Sequence, residues 1–270
     1  MLLKKDGHVH TPFCPHGSTD ELELYIKQAI KEGFNCLTFT EHAPLPKGFK
    51  DPTPLEDSAM KIEELGGYFE RILLLKERYQ NSITIKVGLE IDYIREYEKE
   101  TTDFLNEYGK YLDDSILSVH FLKIKDQYYC MDFDDKTFNE MILEAGSLNV
   151  LHETYYNEVL HSINSDLGKY KPKRIGHITL VNKFQKLFPV TFTNKKWILD
   201  ILTSIKENNL EIDYNVAGLR KEYCGEIYPN DEIAKMAIKQ EIPLIYGSDA
   251  HSARDVGKNY KYFEQLSNSK

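Results

Sequence analysis

Short apolar runs with strand character alternate with helical patterns along the whole chain. This alternation is typical of repeated β-α units, in which helices connect parallel strands and cover them. The seven predicted strands cover residues 5–9, 36–40, 83–89, 115–119, 174–176, 210–214 and 242–247. Parallel strands in this number favour an α/β fold of the barrel type, close to an incomplete form of the eight-stranded barrel.

Helical patterns lie between these strands, near residues 22–30, 55–79, 98–108, 138–165, 195–208 and 231–239. Before the first of them, Ser18 to Glu21 resembles a capping box, and Gly33 follows it as a C-terminal cap would. The long loop at 43–54 contains proline and glycine and is of the kind that usually shapes a site. No linker or repeat divides the sequence, so we expect one domain over residues 1–270.

Charge and cysteine content limit the classes of function. The net charge is −9 and no basic cluster stands out, which disfavours a nucleic-acid partner. The N-terminus lacks the apolar segment of a signal peptide, and no run of about 18 apolar residues predicts a membrane helix. The four cysteines are scattered without a CxxC pair, which indicates reduced thiols rather than disulfides or a zinc ribbon. We therefore expect a cytoplasmic protein without a membrane partner.

Histidines and carboxylates follow the predicted strands at the point where each strand ends. They are His8 and His10 after the first strand, His42 after the second, Glu90 after the third, His120 after the fourth, His177 after the fifth, and Asp249 and His251 after the seventh. His16 lies in the loop just beyond His10. In an α/β barrel these strand ends converge on one rim, where active sites are built.

This set of residues predicts a metal site. His8 and His10 are two residues apart on a strand, so both imidazoles point to the same side and can bind one metal. An isolated pair of this kind could equally hydrogen-bond to loops, but the whole set without metal would leave many polar groups to satisfy. Nine candidate ligands exceed what one ion uses, which favours several ions. Imidazole together with carboxylate suits zinc, manganese or iron.

The same residues belong to short motifs that resemble a known superfamily. The motifs are His8-Val9-His10, Thr40-Glu41-His42, Gly88-Leu89-Glu90, Ser118-Val119-His120, Gly176-His177 and Gly247-Ser248-Asp249-Ala250-His251. In order and spacing, from residue 6 to residue 257, they are similar to those of the polymerase-and-histidinol-phosphatase (PHP) superfamily. The resemblance implies a distorted (β/α)7 barrel, similar to a TIM barrel, with three divalent metal ions at the C-terminal ends of the strands.

The resemblance also implies which residues hold each ion. The first ion would be held by His8, His10, Glu90 and Asp249, the second by Glu90, His120 and His177, and the third by His16, His42 and His251. Glu90 would thus bridge two ions. The native metal could be zinc, manganese or iron.

Within the superfamily, residues 215–221 and Tyr228-Pro229 resemble the histidinol-phosphate phosphatase branch. That likeness implies hydrolysis of a small phosphate ester, L-histidinol phosphate, to L-histidinol and phosphate in histidine biosynthesis. Asp249 or His251 would then guide a proton to the leaving alkoxide, with Glu90 as the third catalytic residue.

Five further residues are expected to contact the substrate. Arg220 and then Arg254 could clamp the phosphate, because guanidinium binds phosphate oxygens in pairs. Glu41, and with it Asp132, could meet the cationic amine or imidazole. Asn215 lies in residues 215–221, the stretch that resembles the histidinol-phosphate phosphatase branch.

Two alternative functions stay open. One is a PHP phosphoesterase or exonuclease acting on nucleotides or another small phosphoester, and the other is a metal-binding regulatory protein without turnover.

Overall fold

Seven parallel strands of this protein form a nearly closed barrel. The structure is a computed structural model and describes residues 4–267. Its strands are β1 Lys5–Val9, β2 Cys36–His42, β3 Thr84–Asp92, β4 Ile116–Ser118, β5 Phe121–Ile124, β6 Gln127–Cys130, β7 Arg174–Ile175, β8 Glu211–Asn215 and β9 Leu244–Gly247. The sheet order is β1-β2-β3-β4-β7-β8-β9, and every pairing in it is parallel.

The two ends of the sheet meet just beyond β9. Val9 and Ala250 form a parallel bridge, and the backbone N–H of His10 donates to the carbonyl of Ala250 at 3.0 Å. The predicted (β/α)7 barrel is therefore confirmed, with a single bridge in place of a full ladder at the closing seam.

Helices lie in the connections between consecutive barrel strands, and one more follows the last strand. They are α1 Leu22–Lys31, α2 Leu65–Arg78, α3 Glu98–Tyr108, α4 Asp135–Ala145, α5 Leu148–Asn164, α6 Lys195–Glu207, α7 Asp231–Lys239 and α8 Tyr260–Ser267. Most of them bury an apolar stripe, such as Leu22, Tyr25, Ile26 and Ala29 of α1. These stripes and most strand side chains form one large apolar cluster, which is the core, and Ile94, Phe121 and Cys130 form a smaller cluster beside it. No helix within residues 4–267 is long and apolar enough to cross a membrane.

The helix predicted to start near residue 55 starts ten residues later, at Leu65. The reason is a compact loop built around the buried carboxylate of Asp51, which accepts hydrogen bonds from the backbone N–H groups of Thr53 and Ser58, both at 2.9 Å. These bonds satisfy the backbone outside a helix, as Asp side chains often do.

The long helix predicted at 138–165 is two helices. Gly146 ends α4 with a φ of 91°, a left-handed conformation that glycine adopts without steric cost. Ser147 then caps α5, since its hydroxyl accepts from the backbone N–H of Val150.

The capping box expected before α1 is also wrong. Ser18 Oγ accepts from Asp20 N instead, and Glu21 makes no side-chain cap bond.

Three other features differ from the prediction. Strand β3 continues to Asp92, so Glu90 lies inside the strand rather than after it. The antiparallel hairpin β5–β6 and the helix α8 were not predicted. The hairpin follows His120 directly and returns to it, because Met131 N donates to the His120 carbonyl at 2.8 Å. The carboxyl end of β4 therefore carries an extra wall.

Candidate metal centre

A cavity of about 780 Å³ opens at the C-terminal ends of the barrel strands. Seven of the nine predicted ligands line it, namely His16, His42, Glu90, His120, His177, Asp249 and His251. His8 and His10 are fully buried and contact the carboxylates of Glu90 and Asp249 from within the barrel. The residues predicted from strand ends are thus brought together at one place.

The first group consists of His8, His10 and Asp249. The Nε2 atoms of His8 and His10 are 3.2 Å apart, and His10 Nε2 is 3.3 Å from Asp249 Oδ1. Glu90 Oε2 lies 3.3 Å from His8 Nε2 and 3.4 Å from His10 Nε2. Four donor atoms this close together can surround one small cation.

The second group consists of Glu90, His120 and His177. Glu90 Oε1 lies 3.0 Å from His177 Nε2 and 3.8 Å from His120 Nε2. Ser118 donates to the same oxygen at 2.6 Å and holds the carboxylate in place. The two oxygens of Glu90 therefore face different groups, which is the arrangement a bridging carboxylate needs.

The third predicted set is a cluster of imidazoles. The ring centroid of His16 lies 5.2 Å from that of His42 and 5.3 Å from that of His251. His16 Nδ1 donates to the carbonyl of Asp57 at 3.0 Å. Ligand atoms of His42 and His251 also lie within 4.8 Å of those of His10 and Cys14. Cys14, a free buried thiol, is a neighbour that the sequence did not assign to the site.

Three buried carboxylates orient these imidazoles from behind. Asp213 Oδ2 is 2.8 Å from His8 Nδ1, Asp92 Oδ1 is 2.7 Å from His120 Nδ1, and Glu41 Oε1 is 3.1 Å from His10 Nδ1. A carboxylate at Nδ1 fixes the ring and leaves Nε2 for a metal. Asp92 and Asp213 were missed by sequence reasoning, although the two-residue strand period puts Asp92 on the same face as Glu90.

Glu41, which was predicted to contact the substrate, lies behind the cavity wall in this structure. Glu41 is fully buried and does not line the cavity. Its carboxylate accepts from the backbone N–H groups of Thr11 at 2.8 Å and His42 at 2.9 Å, in addition to its contact with His10. The side chain points into the barrel, where it is held by its hydrogen bonds with the backbone and its contact with His10.

Asn215, the other predicted substrate contact of this kind, is likewise buried and outside the cavity lining. Its amide donates to Asp249 Oδ2 at 3.1 Å and to Asp213 Oδ2 at 3.2 Å. Its oxygen accepts from Ala217 N at 2.9 Å. Asn215 therefore positions Asp249.

The protonation of the cluster is set by its carboxylates. Burial alone would lower the pKa of His8, but Glu90, Asp213 and Asp249 raise it to about 10. His120 behaves in the same way, because Asp92 and Glu90 outweigh burial and raise its pKa to about 10. Burial and the neighbouring His10 lower the pKa of His42 and of His251 well below the usual value. Divalent cations fit such a set, since they can replace the imidazole protons that balance the buried carboxylates.

Cationic side chains lie on another part of the cavity wall. They are Lys183, Arg220, Lys221, Arg254 and Lys258. The NH2 group of Arg220 donates to the carbonyl of Ser248 at 2.7 Å, whereas its buried NH1 group has no hydrogen-bond partner within residues 4–267. Arg220 and Arg254 thus reach the cavity as predicted, and a free guanidinium donor stands next to Asp249.

Comparisons with known proteins agree with this geometry. The PHP domain family matches residues 6–217, and the PHP-associated family matches residues 228–269. The histidinol-phosphatase of Bacillus subtilis (strain 168) is 52% identical over 264 residues, which cover 97% of this chain and 98% of that protein. Both family regions contribute strands to the same barrel, since β9 lies in the second.

Two solved structures are similar. A Listeria monocytogenes protein assigned as a histidinol phosphatase superposes with a TM-score of 0.93 at 37% identity, covering 96% of this chain and all 100% of its own. Histidinol phosphate phosphatase from Lactococcus lactis, complexed with zinc, L-histidinol and phosphate, has a TM-score of 0.71 at 20% identity and covers 98% of this chain and 94% of its own. The second likeness shows the shared fold.

Proposed function

The chain belongs to the PHP domain family, and on that basis we propose that it hydrolyses L-histidinol phosphate to L-histidinol and phosphate in histidine biosynthesis. The observation that carries the proposal is Glu90, whose two carboxylate oxygens face separate groups of imidazoles at the base of the cavity. A binding protein needs only one closed set of ligands, whereas a phosphoesterase gains from several cations that share a carboxylate.

We propose three divalent ions, which are zinc, manganese or iron. The ligands would be His8, His10, Glu90 and Asp249 for the first, Glu90, His120 and His177 for the second, and His16, His42 and His251 for the third. When bound, such ions neutralise phosphate oxygens and lower the pKa of water, which supplies a nucleophile near neutral pH. The zinc complex belongs to the Lactococcus lactis protein and supports zinc as the first metal to test.

The side chains of the chain itself bind the ester and move a proton. The free NH1 group of Arg220, with Arg254 nearby in the lining, would hold the phosphate oxygens. Asn215 holds Asp249 through its Oδ2 atom, and His251 Nδ1 lies 3.4 Å from Asp249 Oδ1. Asp249 and His251 would together deliver the proton that the leaving alkoxide needs.

The cavity suits a small ester. The sequence further predicts that the protein has no nucleic-acid or membrane partner. It also predicts a cytoplasmic location and a single domain over residues 1–270. The alternative activity on nucleotides gains no specific support from the cavity lining, whose aromatic members are Phe121, Phe133 and Tyr228.

The test is phosphate release by purified, metal-analysed protein from L-histidinol phosphate, p-nitrophenyl phosphate and a nucleoside monophosphate. We expect a preference for L-histidinol phosphate of about a thousandfold in kcat/KM, equivalent to about 4 kcal/mol of transition-state binding. Equal and slow rates on all three esters would refute the substrate assignment. No turnover of any ester at full metal loading would instead favour the regulatory alternative.

A further inference from the structure

The β5–β6 hairpin gives the cavity a wall that the metal ligands do not explain. Phe121 at its start, Cys130 at its end, and Asp132 and Phe133 just after it all line the cavity, and we call these four residues the hairpin wall. The bond from Met131 N to the carbonyl of His120 fixes this wall beside the second ligand group. A group leaving the phosphate near that ligand group would therefore lie within reach of the hairpin wall.

Asp132 is the charged member of the hairpin wall, and only one of its two carboxylate oxygens accepts a strong hydrogen bond. Its Oδ2 atom accepts from Lys183 Nζ at 2.9 Å, and Lys183 also donates to the Asp132 backbone carbonyl. Its Oδ1 atom has the Cys130 thiol at 3.5 Å, which is a weak donor. The side chain is 24% exposed, so Oδ1 can accept a stronger hydrogen bond from a ligand.

Most other carboxylates in the cavity are already engaged. Asp92 contacts His120 Nδ1 at 2.7 Å, and Asp255 accepts from Lys258 at 2.7 Å. Glu90 and Asp249 belong to the predicted metal ligands. Asp57 is the one rival, because the contact from Thr53 Oγ1 to its carboxylate is long, at 3.4 Å.

The aromatic part of the hairpin wall is Phe121 and Phe133. Phe133 is 44% exposed and lines the cavity, so its ring is accessible to a ligand there. The face of a phenyl ring attracts cations and stacks with other rings. A flat cationic ring bound here could stack on a phenyl ring and donate a hydrogen bond to the Asp132 carboxylate at the same time.

We propose that the hairpin wall is the specificity site for the leaving group, with Asp132 Oδ1 accepting a hydrogen bond from a cationic amine or imidazolium and Phe133 stacking on the ring. The identity of the leaving group rests on the proposed function. The carboxylate of Asp132 contributes to binding the alcohol half of the ester, whereas the predicted metals and Arg220 bind the phosphate half.

The experiment compares Asp132→Asn, Phe133→Ala and the control Asp57→Asn with three esters. L-Histidinol phosphate has a cation and an imidazole ring, O-phosphoethanolamine has a cation without a ring, and p-nitrophenyl phosphate has a ring without a cation. We expect Asp132→Asn to lower kcat/KM at least about tenfold for the two cationic esters and less than about twofold for p-nitrophenyl phosphate. Phe133→Ala should affect L-histidinol phosphate more than O-phosphoethanolamine, and Asp57→Asn should show no selectivity.

A binding measurement separates recognition from a structural effect. Calorimetry with L-histidinol should give a Kd about tenfold higher in Asp132→Asn, while the Kd of inorganic phosphate and the metal content stay as in the wild type. An equal loss on all three esters, or a selective loss in Asp57→Asn instead, overturns the proposal. A wild-type enzyme without preference for L-histidinol phosphate refutes the proposed function, whereas a wild-type preference that is undiminished in Asp132→Asn refutes the specificity site alone.

Discussion

Asp213 and His8 are 205 positions apart in the chain, and the Oδ2 atom of the first lies 2.8 Å from the Nδ1 atom of the second. Both side chains are fully buried. The contact joins β8 to β1 inside the barrel and turns His8 Nε2 toward the other candidate ligands.

Replacing Asp213 by Asn should therefore weaken metal binding without removing a ligand. We expect about a 10- to 100-fold loss of affinity at the first ligand group, the range typical for carboxylates that orient a ligating histidine. Competition with a chelator, followed by metal analysis, measures this. Asp200→Asn, on the exposed face of α6, is the control, and equal affinities in both variants would contradict the orienting role.

Replacing Glu90 by Gln should abolish most of the turnover and leave the fold intact. The amide keeps the size of the side chain but loses the charge that faces two ligand groups. We expect kcat to fall at least about 100-fold, because rim residues of a barrel serve chemistry more than stability. Steady-state assays and circular dichroism on the same sample test this. Wild-type rates at full metal occupancy would rule out the bridging role.

Replacing Arg220 by Lys tests the phosphate clamp. Lysine keeps the charge, but it cannot donate to the Ser248 carbonyl and to a phosphate oxygen with the same planar group. We expect kcat/KM to fall about 10- to 100-fold and inorganic phosphate to inhibit more weakly. Arg71→Lys on the exposed surface of α2 provides the control. Unchanged inhibition by phosphate in Arg220→Lys would exclude the clamp.

His152 should make the stability of the protein depend on pH. Burial lowers its pKa to about 4 from an ordinary value of 6.5, so the folded state keeps the imidazole neutral. The unfolded chain binds a proton first as the pH falls, and the stabilisation present above pH 6.5 is lost toward pH 4. Between pH 7.5 and 5 this loss amounts to about 2 kcal/mol.

The variant His152→Leu should lack that part of the pH dependence. Urea unfolding of both proteins at the two pH values gives the difference directly, since titration of the metal centre is common to both. His161→Leu, on the exposed side of α5, should change the pH dependence less than His152→Leu, because burial lowers the pKa of His161 too but lowers that of His152 to about 4. A parallel pH dependence in wild type and His152→Leu would show that His152 is not the responsible group.

The barrel was predictable because a short apolar run with strand character is followed each time by a helical pattern. The ligands were predictable because they recur where the strands end. What the sequence does not reveal is which side chains stand behind the ligands. Asp213 becomes a partner of His8 only when the barrel brings β8 next to β1, and nothing local in the sequence marks it. The contacts of Glu41 with His10, Thr11 and His42 were not predictable for the same reason, since its motif gives its position but not the direction of its carboxylate.

Other features that were not predicted do have a local signal in the sequence, but a weak one. Gly146-Ser147 combines a helix C-terminal cap with an N-terminal cap, and giving weight to that pair would have divided the predicted helix. The hairpin at 121–130 has strands of four residues each with a two-residue turn of Lys125 and Asp126. Such short strands are hard to separate from loops, yet they form the hairpin wall.

The seam at Val9 and Ala250 has a consequence for the order of events during synthesis. His8 and His10 emerge from the ribosome some 240 residues before Asp249, with which they form a group. A nascent chain can present the two histidines to a cation long before the carboxylate exists. We therefore expect the first ion to be captured late, when the last strand docks, so that metal uptake and the completion of folding coincide in time.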